Sequence, residues 1–273
     1  MDKIKISNLE LFANHGVYPE ENALGQKFII STVLHTPLYK AGCSDELGDS
    51  VNYGEVCHFI REFAEGRTFR LLESLAENLA EELLLKYDMM EQVELEIKKP
   101  WAPIGLHVES VSVEISRKWH TAYIALGSNM GDRREYLDTA VKKLDGVRGC
   151  RVTKVSGYIE TEPYGGVEQD DFLNGALELR TLLPPEELLE KLHVIEAEAG
   201  RERIVRWGPR TLDLDILMYD DLVMDTPDLT IPHKEMHKRD FVLEPMVQIA
   251  SHVRHPLKGK TMEELLEKGA YHN

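Results

Sequence analysis

Apolar and polar residues alternate from the start of the chain. Ile4, Ile6, Leu9 and Leu11 mark a first strand pair or one bent strand. After a turn-rich stretch from Asn14 to Gly25, Phe28, Ile30, Thr32 and Leu34 line one face of a second long strand. The period then changes: Val56, Phe59, Ile60 and Phe63 keep helical spacing, as do Leu72, Leu75, Leu79 and Leu83. Val93, Leu95 and Ile97, then Val111, Val113 and Ile115, restore the two-residue period. This ββααββ order predicts an α+β unit in which one sheet carries a helix pair.

That unit ends near Arg117, and a new strand begins at Thr121 with no room for a flexible linker between. We therefore divide the chain into 1–118 and 120–273. The second part reads as a strand (121–126), a helix (about 133–145), strands 147–160 and 172–180, and a helix (185–199). An arginine-rich loop, a strand (212–219) and helices near 241–250 and 262–268 complete it. The βαββαβ order predicts a ferredoxin-like sandwich.

A length of 273 residues suits two ordinary domains. With 42% hydrophobic and 29% charged residues, the composition is that of a soluble globular chain. The net charge of −16 is shared evenly by the two halves and argues against a nucleic-acid partner, which needs a basic face. No apolar run approaches a membrane span, and the N-terminus lacks a secretory pattern. Cys43, Cys57 and Cys150 form neither a disulfide framework nor a zinc pattern. The expectation is a cytoplasmic enzyme or enzyme pair.

The segment 201–215, RERIVRWGPRTLDLD, carries the strongest chemistry. In a strand, Asp213 and Asp215 share a face, while Leu212, Leu214 and Ile216 point into the core behind them. Two adjacent carboxylates repel unless a cation joins them, and Mg²⁺ suits such a pair because it completes its shell with phosphates and water. Arg201, Arg203, Arg206 and Arg210 stand close by in an otherwise acidic chain, and guanidinium groups grip phosphate oxygens bidentately. A D-x-D alone is more often a solvated loop. The arginines and Trp207-Gly208-Pro209 shift the reading toward phosphoryl transfer. The turn Gly127-Ser128-Asn129-Met130-Gly131 lacks the Lys-Ser/Thr of a phosphate loop and reads as a structural strand-to-helix turn.

RWGPRTLDLDI resembles the signature of 6-hydroxymethyl-7,8-dihydropterin pyrophosphokinase, as do AYIALGSNMGD, FLNGALEL and LTIPHKEMHKRDFVLEP across 121–273. The resemblance implies transfer of pyrophosphate from ATP to a pterin alcohol. It implies that Asp213 and Asp215 hold two Mg²⁺ ions. Arg201, Arg203, Arg210, His233 and Arg239 would contact ATP phosphates or catalyse, with Glu196 and Trp207 near the nucleotide. Asn174 would read the pterin edge, Phe241 would stack on the ring, and Phe172 and Thr161 would also bind the pterin. Phe172 stands where Tyr is common in the family, His193 where Gln is common, and Lys234 where some members carry Tyr.

The first half carries weaker individual signals. Glu73 heads the second helix, Lys99 ends a strand just before Pro100, and Tyr53 opens the first helix. Together with NHGVYPEENALGQKF, DSVNYGEV, RLLESLAENLAEELL and EIKKPWAPI, they resemble dihydroneopterin aldolase across about 1–118. The resemblance implies the ββααββ tunnelling fold, a homo-oligomer (tetramer or octamer) built through this domain, and active sites between neighbours. Glu73 would anchor the pterin's N–H edge, Leu72 and Val51 would line the substrate, and Lys99 would be the general acid/base. Tyr53 would move protons from a neighbouring subunit, and Glu21 would position Lys99 or its water. No cofactor is implied for this half. The aldolase product is the kinase substrate, so one chain would carry consecutive steps of folate synthesis.

Overall fold

Strand β1 (Lys3–Ala13) is one bent strand. Its pairing with β2 (Gln26–His35) slips between Ile6 and Leu9, where Asn8 adopts φ 56° and its N–H bonds the Ser31 hydroxyl. An extra residue in a left-handed conformation is a β-bulge, and Asn tolerates it better than most residues. The computed structural model describes residues 1–163, 169–200 and 209–270. It divides into two units, Met1–Trp119 and His120–Asn273.

Between β1 and β2, the stretch expected to be turns contains a short helix, α1 (Pro19–Leu24). Pro19 presets the helical φ, and the Glu21 carboxylate accepts the Tyr18 N–H at 3.1 Å. A second short helix, α2 (Tyr39–Ser44), also carried no apolar period. Asn52 caps α3 (Tyr53–Glu65) by accepting the Gly54 and Glu55 N–H groups. Helix α4 (Leu72–Lys86), β3 (Gln92–Lys99) and β4 (Val111–Lys118) complete the unit. The sheet order is β1-β2-β3-β4, antiparallel throughout. Phe28, Ile30, Leu34, Leu95 and Ile97 are fully buried, as are Ile60, Leu75, Leu79 and Leu83 of the helices. Each such side chain contributes about 1.5–3 kcal/mol.

The second unit runs β5 (His120–Ser128), α5 (Arg133–Asp145), β6 (Cys150–Val155), β7 (Ile159–Thr161), β8 (Phe172–Thr181), α6 (Pro185–Glu198) and β9 (Asp213–Tyr219). A small hairpin, β10 (Met224–Asp225) with β11 (Thr230–Ile231), precedes α7 (Asp240–Ala250) and α8 (Met262–Ala270). The strand order β6-β8-β5-β9, all antiparallel, is the ferredoxin-like arrangement, with β7 also pairing β8. The single strand expected over 147–160 is instead two. The Ser156 hydroxyl accepts the Ala176 N–H, Gly157 N bonds Gln248, and the Tyr158 ring lies against Gly175, so the ladder breaks at 156–158.

Two apolar layers flank this sheet. On one face Leu137, Leu144, Leu188 and Leu192 of α5 and α6 meet Ile124, Leu126, Leu212, Leu214 and Ile216. On the other, Val242, Leu243 and Met246 of α7 and Met262 and Leu265 of α8 meet Tyr123, Ala176 and Met218.

Candidate active sites

In the first unit, β3 alternates strictly between half-buried and buried positions. Lys98 therefore points away to pair with Glu96 at 3.2 Å, and Lys99 turns inward. Lys99 Nζ donates to Glu21 Oε1 at 2.5 Å, and both residues are only 9% exposed. Glu21 also accepts from Gln26 Nε2 at 3.0 Å and from the Tyr18 N–H. Burial works against its negative charge, but hydrogen bonds from Lys99, the Tyr18 N–H and Gln26 prevail and hold its carboxyl below the usual carboxylate range. Gly16 makes room for this carboxylate, since a Cβ there would fall 2.3 Å from Glu21 Oε2. The result is a buried, hydrogen-bonded ion pair with fixed geometry. Leu72 and Glu73 occupy the first turn of α4, Leu72 half-buried and Glu73 exposed. Tyr53 is 63% exposed, and Val51 is buried beside a cavity of about 430 Å³ with Asn52, Glu55, Lys86 and Tyr87. Among the described residues, no hydrogen bond or ion pair joins Tyr53 or Glu73 to Glu21 or Lys99.

In the second unit, strand register assembles the site. Gly127 of β5 lies opposite Asn174 of β8 on one side and Asp213 of β9 on the other. Ala125 likewise lies between Ala176 and Asp215. Residues two apart share a face, so Phe172, Asn174, Gly127, Asp213 and Asp215 all face the side that carries α7. Gly127, Ala125 and Ala176 form a low floor between the pterin-edge candidate and the two carboxylates. A Cβ on Gly127 would stand 3.3 Å from Asn174 Oδ1 and 3.7 Å from Asp213 Cβ. Gly127 and Ser128 therefore belong to strand and floor, and the turn expected over 127–131 begins only at Asn129. The small-residue period Ala125-Gly127, with Ala176 across the sheet, was the available signal.

Asn174 Nδ2 donates to Thr161 Oγ1 at 2.7 Å, which joins those two candidates across β7 and β8. Arg239, at the entry to α7, places its guanidinium 5.8 Å from the Phe241 ring centre. The His233 pKa is pushed down by burial and by Arg239, while Asp215 and Asp213 act to raise it, so His233 shares the electrostatic environment of the aspartates. Arg210 Nη1 pairs with Asp213 Oδ2 at 2.5 Å. Two half-buried carboxylates on one strand face, beside a guanidinium, are a donor set that fits Mg²⁺ shared with phosphate oxygens. Among the described residues, no cluster of three or more His, Cys, Asp or Glu could hold a metal on protein ligands alone.

Two residues have structural roles that their sequence context did not reveal. Glu196 is buried, and its Oε1 accepts the Leu214 N–H at 2.7 Å, so it braces β9 between the two aspartates. Asn129, also buried, accepts the Arg210 N–H at 2.7 Å, and its own N–H donates to the Arg210 carbonyl. Its Nδ2 reaches Gln169 Oε1 and the Asp170 carbonyl. One side chain thus ties the segments leading to Asp213 and to Phe172. Arg201, Arg203, Arg206 and Trp207 lie outside the described residues.

Two sites, one built on a buried lysine–carboxylate pair and one on paired aspartates, define a two-domain enzyme class. Comparison with known proteins agrees. Residues 123–251 match the family model of 7,8-dihydro-6-hydroxymethylpterin-pyrophosphokinase, and residues 4–116 match that of dihydroneopterin aldolase. The chain is 52% identical over 132 residues to the 2-amino-4-hydroxy-6-hydroxymethyldihydropteridine pyrophosphokinase of Bacillus subtilis, covering 48% of this chain and 79% of that protein. It is 34% identical over 284 residues to a folic acid synthesis protein of Dictyostelium discoideum, covering 94% of this chain and 43% of the relative. The structure of Escherichia coli dihydroneopterin aldolase in complex with neopterin aligns at 30% identity and a TM-score of 0.41, covering 43% of this chain and 99% of that one. The chain belongs to the pyrophosphokinase family and carries a dihydroneopterin aldolase domain ahead of it. It spans about two fifths of the length of the folic acid synthesis proteins it matches. Among the described residues, no helix is long and apolar enough to cross a membrane.

Proposed function

We propose that the chain performs two consecutive steps of folate biosynthesis. The first is cleavage of 7,8-dihydroneopterin to glycolaldehyde and 6-hydroxymethyl-7,8-dihydropterin. The second is transfer of pyrophosphate from ATP to the hydroxymethyl group, releasing AMP. The observation that carries the second step is the cross-strand row Asn174–Gly127–Asp213, which puts a carboxamide and a carboxylate on either side of one floor.

In the aldolase half, a proton leaves the side-chain hydroxyl, the carbon–carbon bond breaks, and the electron pair enters the ring imine. A proton then returns to carbon. Lys99 moves these protons, and Glu21 holds its ammonium in place. Glu73 offers its carboxylate to the pterin's parallel N–H groups, with Leu72 and Val51 against the ring. Tyr53 is exposed, as a proton-moving group contributed to a neighbour's site would be. Edge strands β1 and β4 leave this sheet open for the homo-oligomer, a tetramer or octamer.

In the kinase half, Asn174 and Thr161 read the pterin edge while Phe172 and Phe241 stack on its faces. Arg210, Arg239 and His233, with Arg201 and Arg203, would balance the charge on the phosphates, Trp207 would bind near the nucleotide, and Glu196 would serve the nucleotide site by bracing β9. Two Mg²⁺ ions, held by Asp213 and Asp215 when ATP is bound, would supply electrostatic stabilisation of the transferred group. The test is incubation of the chain with dihydroneopterin and ATP–Mg²⁺, following glycolaldehyde, AMP and the pterin diphosphate together. Failure to form either product pair would reject the corresponding half, and an epimer without glycolaldehyde would make the first half an epimerase.

A further inference from the structure

The segment joining α3 to α4 is exposed at every position from Glu65 to Leu71 except Phe69. That residue is the point where the connection is held, three positions before Leu72 and four before Glu73. Two neighbouring residues of the β1–α1 loop grip it. The Phe69 N–H donates to His15 Nδ1 at 3.2 Å, and the Gly16 N–H donates to the Phe69 carbonyl at 3.0 Å. The His15 ring also lies edge-on to Phe28 at 5.0 Å and against Phe69 at 5.7 Å. Phe69 in turn stacks on Phe63.

The other side of the same dipeptide faces the lysine. Gly16 abuts the Glu21 carboxylate, which binds Lys99. Two adjacent residues therefore touch both halves of the aldolase site: the Glu21–Lys99 pair through Gly16, and the entry to α4 through His15. His15 is 1% exposed, and its Nε2 has no hydrogen-bond partner among the described residues. Because Nδ1 accepts the Phe69 N–H, the proton sits on Nε2. Burial, and then the Lys99 charge, push its pKa down to about 4, so the ring is neutral and able to accept at neutral pH.

We propose that His15 is a positioning residue of the aldolase reaction: its neutral Nδ1 fastens Phe69, and so sets Leu72 and Glu73 of α4 against the Glu21–Lys99 pair. It does not touch the pterin. The proposal rests on the aldolase reading. Absence of glycolaldehyde from the natural chain would reject that reading, whereas the variants below test His15 alone.

The experiment compares H15N and H15F in the full chain. Asparagine can place Oδ1 where Nδ1 stands; phenylalanine keeps the ring packing and removes the acceptor. Amide exchange at Phe69 and the kcat and KM for dihydroneopterin are measured. H15F should speed exchange at Phe69 and lower kcat/KM by about tenfold or more, chiefly through KM, because the pterin anchor shifts. H15N should stay within about threefold of the natural chain in both readouts. If H15F does not fold, H15Q, whose amide falls near the Nε2 position, takes its place. Retention of kcat/KM by H15F, or by H15Q in its place, would overturn the proposal. So would H15N being impaired as severely as the acceptor-less variant, or a loss confined to the folded fraction with KM unchanged.

Discussion

Replacing Glu21 by glutamine leaves the shape of the aldolase site almost intact and removes one charge. The Lys99 and Glu21 side chains are 11% and 8% exposed, so water screens their pairing little. An exposed pair of this kind contributes about 0–1 kcal/mol. Breaking a buried one strands the remaining charge and costs about 3–5 kcal/mol. Glutamine can still accept from the Tyr18 N–H, so the cost of Glu21→Gln arises from the uncompensated ammonium of Lys99. Replacing both partners, as Glu21→Gln with Lys99→Met, removes that ammonium. The double variant should then return to within about 1 kcal/mol of the natural chain, or exceed it. Because the chain has two units, a global melt would mix two transitions. Hydrogen exchange of β2 and β3 peptides reports the first unit alone. Glu21→Gln should speed it by about two to three and a half decades, and the double variant should not. Glycolaldehyde release should fall in Glu21→Gln and vanish in Lys99→Met and in the double variant, giving a stable but inactive domain. Strictly additive losses in the double variant, or a Glu21→Gln cost below about 1 kcal/mol, would refute the argument that this pair is desolvated.

Further tests concern pH and the kinase half. The folded-state carboxyl of Glu21 is depressed below its ordinary value of 4.5. The stability it contributes is therefore complete above that value and is lost as pH falls through the folded one. The exchange difference between the natural chain and Glu21→Gln should shrink in acid, and a gap that widened would contradict this sign. Asp213→Asn or Asp215→Asn should cut Mg²⁺-dependent AMP formation by at least about a hundredfold, while pterin binding by calorimetry survives. Gly127→Ala pushes a methyl to 3.3 Å from Asn174 Oδ1, so the KM for the pterin should rise while aldolase turnover stays unchanged. Asn129→Ala leaves the Arg210 N–H unpaired at a cost of about 1–3 kcal/mol, and pyrophosphokinase kcat/KM should fall with glycolaldehyde release unaffected.

Periodicity along the chain determined the strand and helix order of both halves, the inward turn of Lys99 against Lys98, and the common face of Asp213 and Asp215. All three depend on side-chain alternation within one strand or helix, which is local. The short helices α1 and α2 escaped because six residues carry too little apolar period, and the strand over 147–160 was overdrawn because the break at 156–158 is made by Ala176 and Gln248, far along the chain. Only the tertiary structure placed Gly127 between Asn174 and Asp213, set Glu196 behind β9, made Asn129 a tie between two loops, and brought His15 to Phe69. Each of those is a partnership between distant segments. Strand register and loop closure select such partners, and a single strand's alternation specifies which way a side chain points but not which residue it meets.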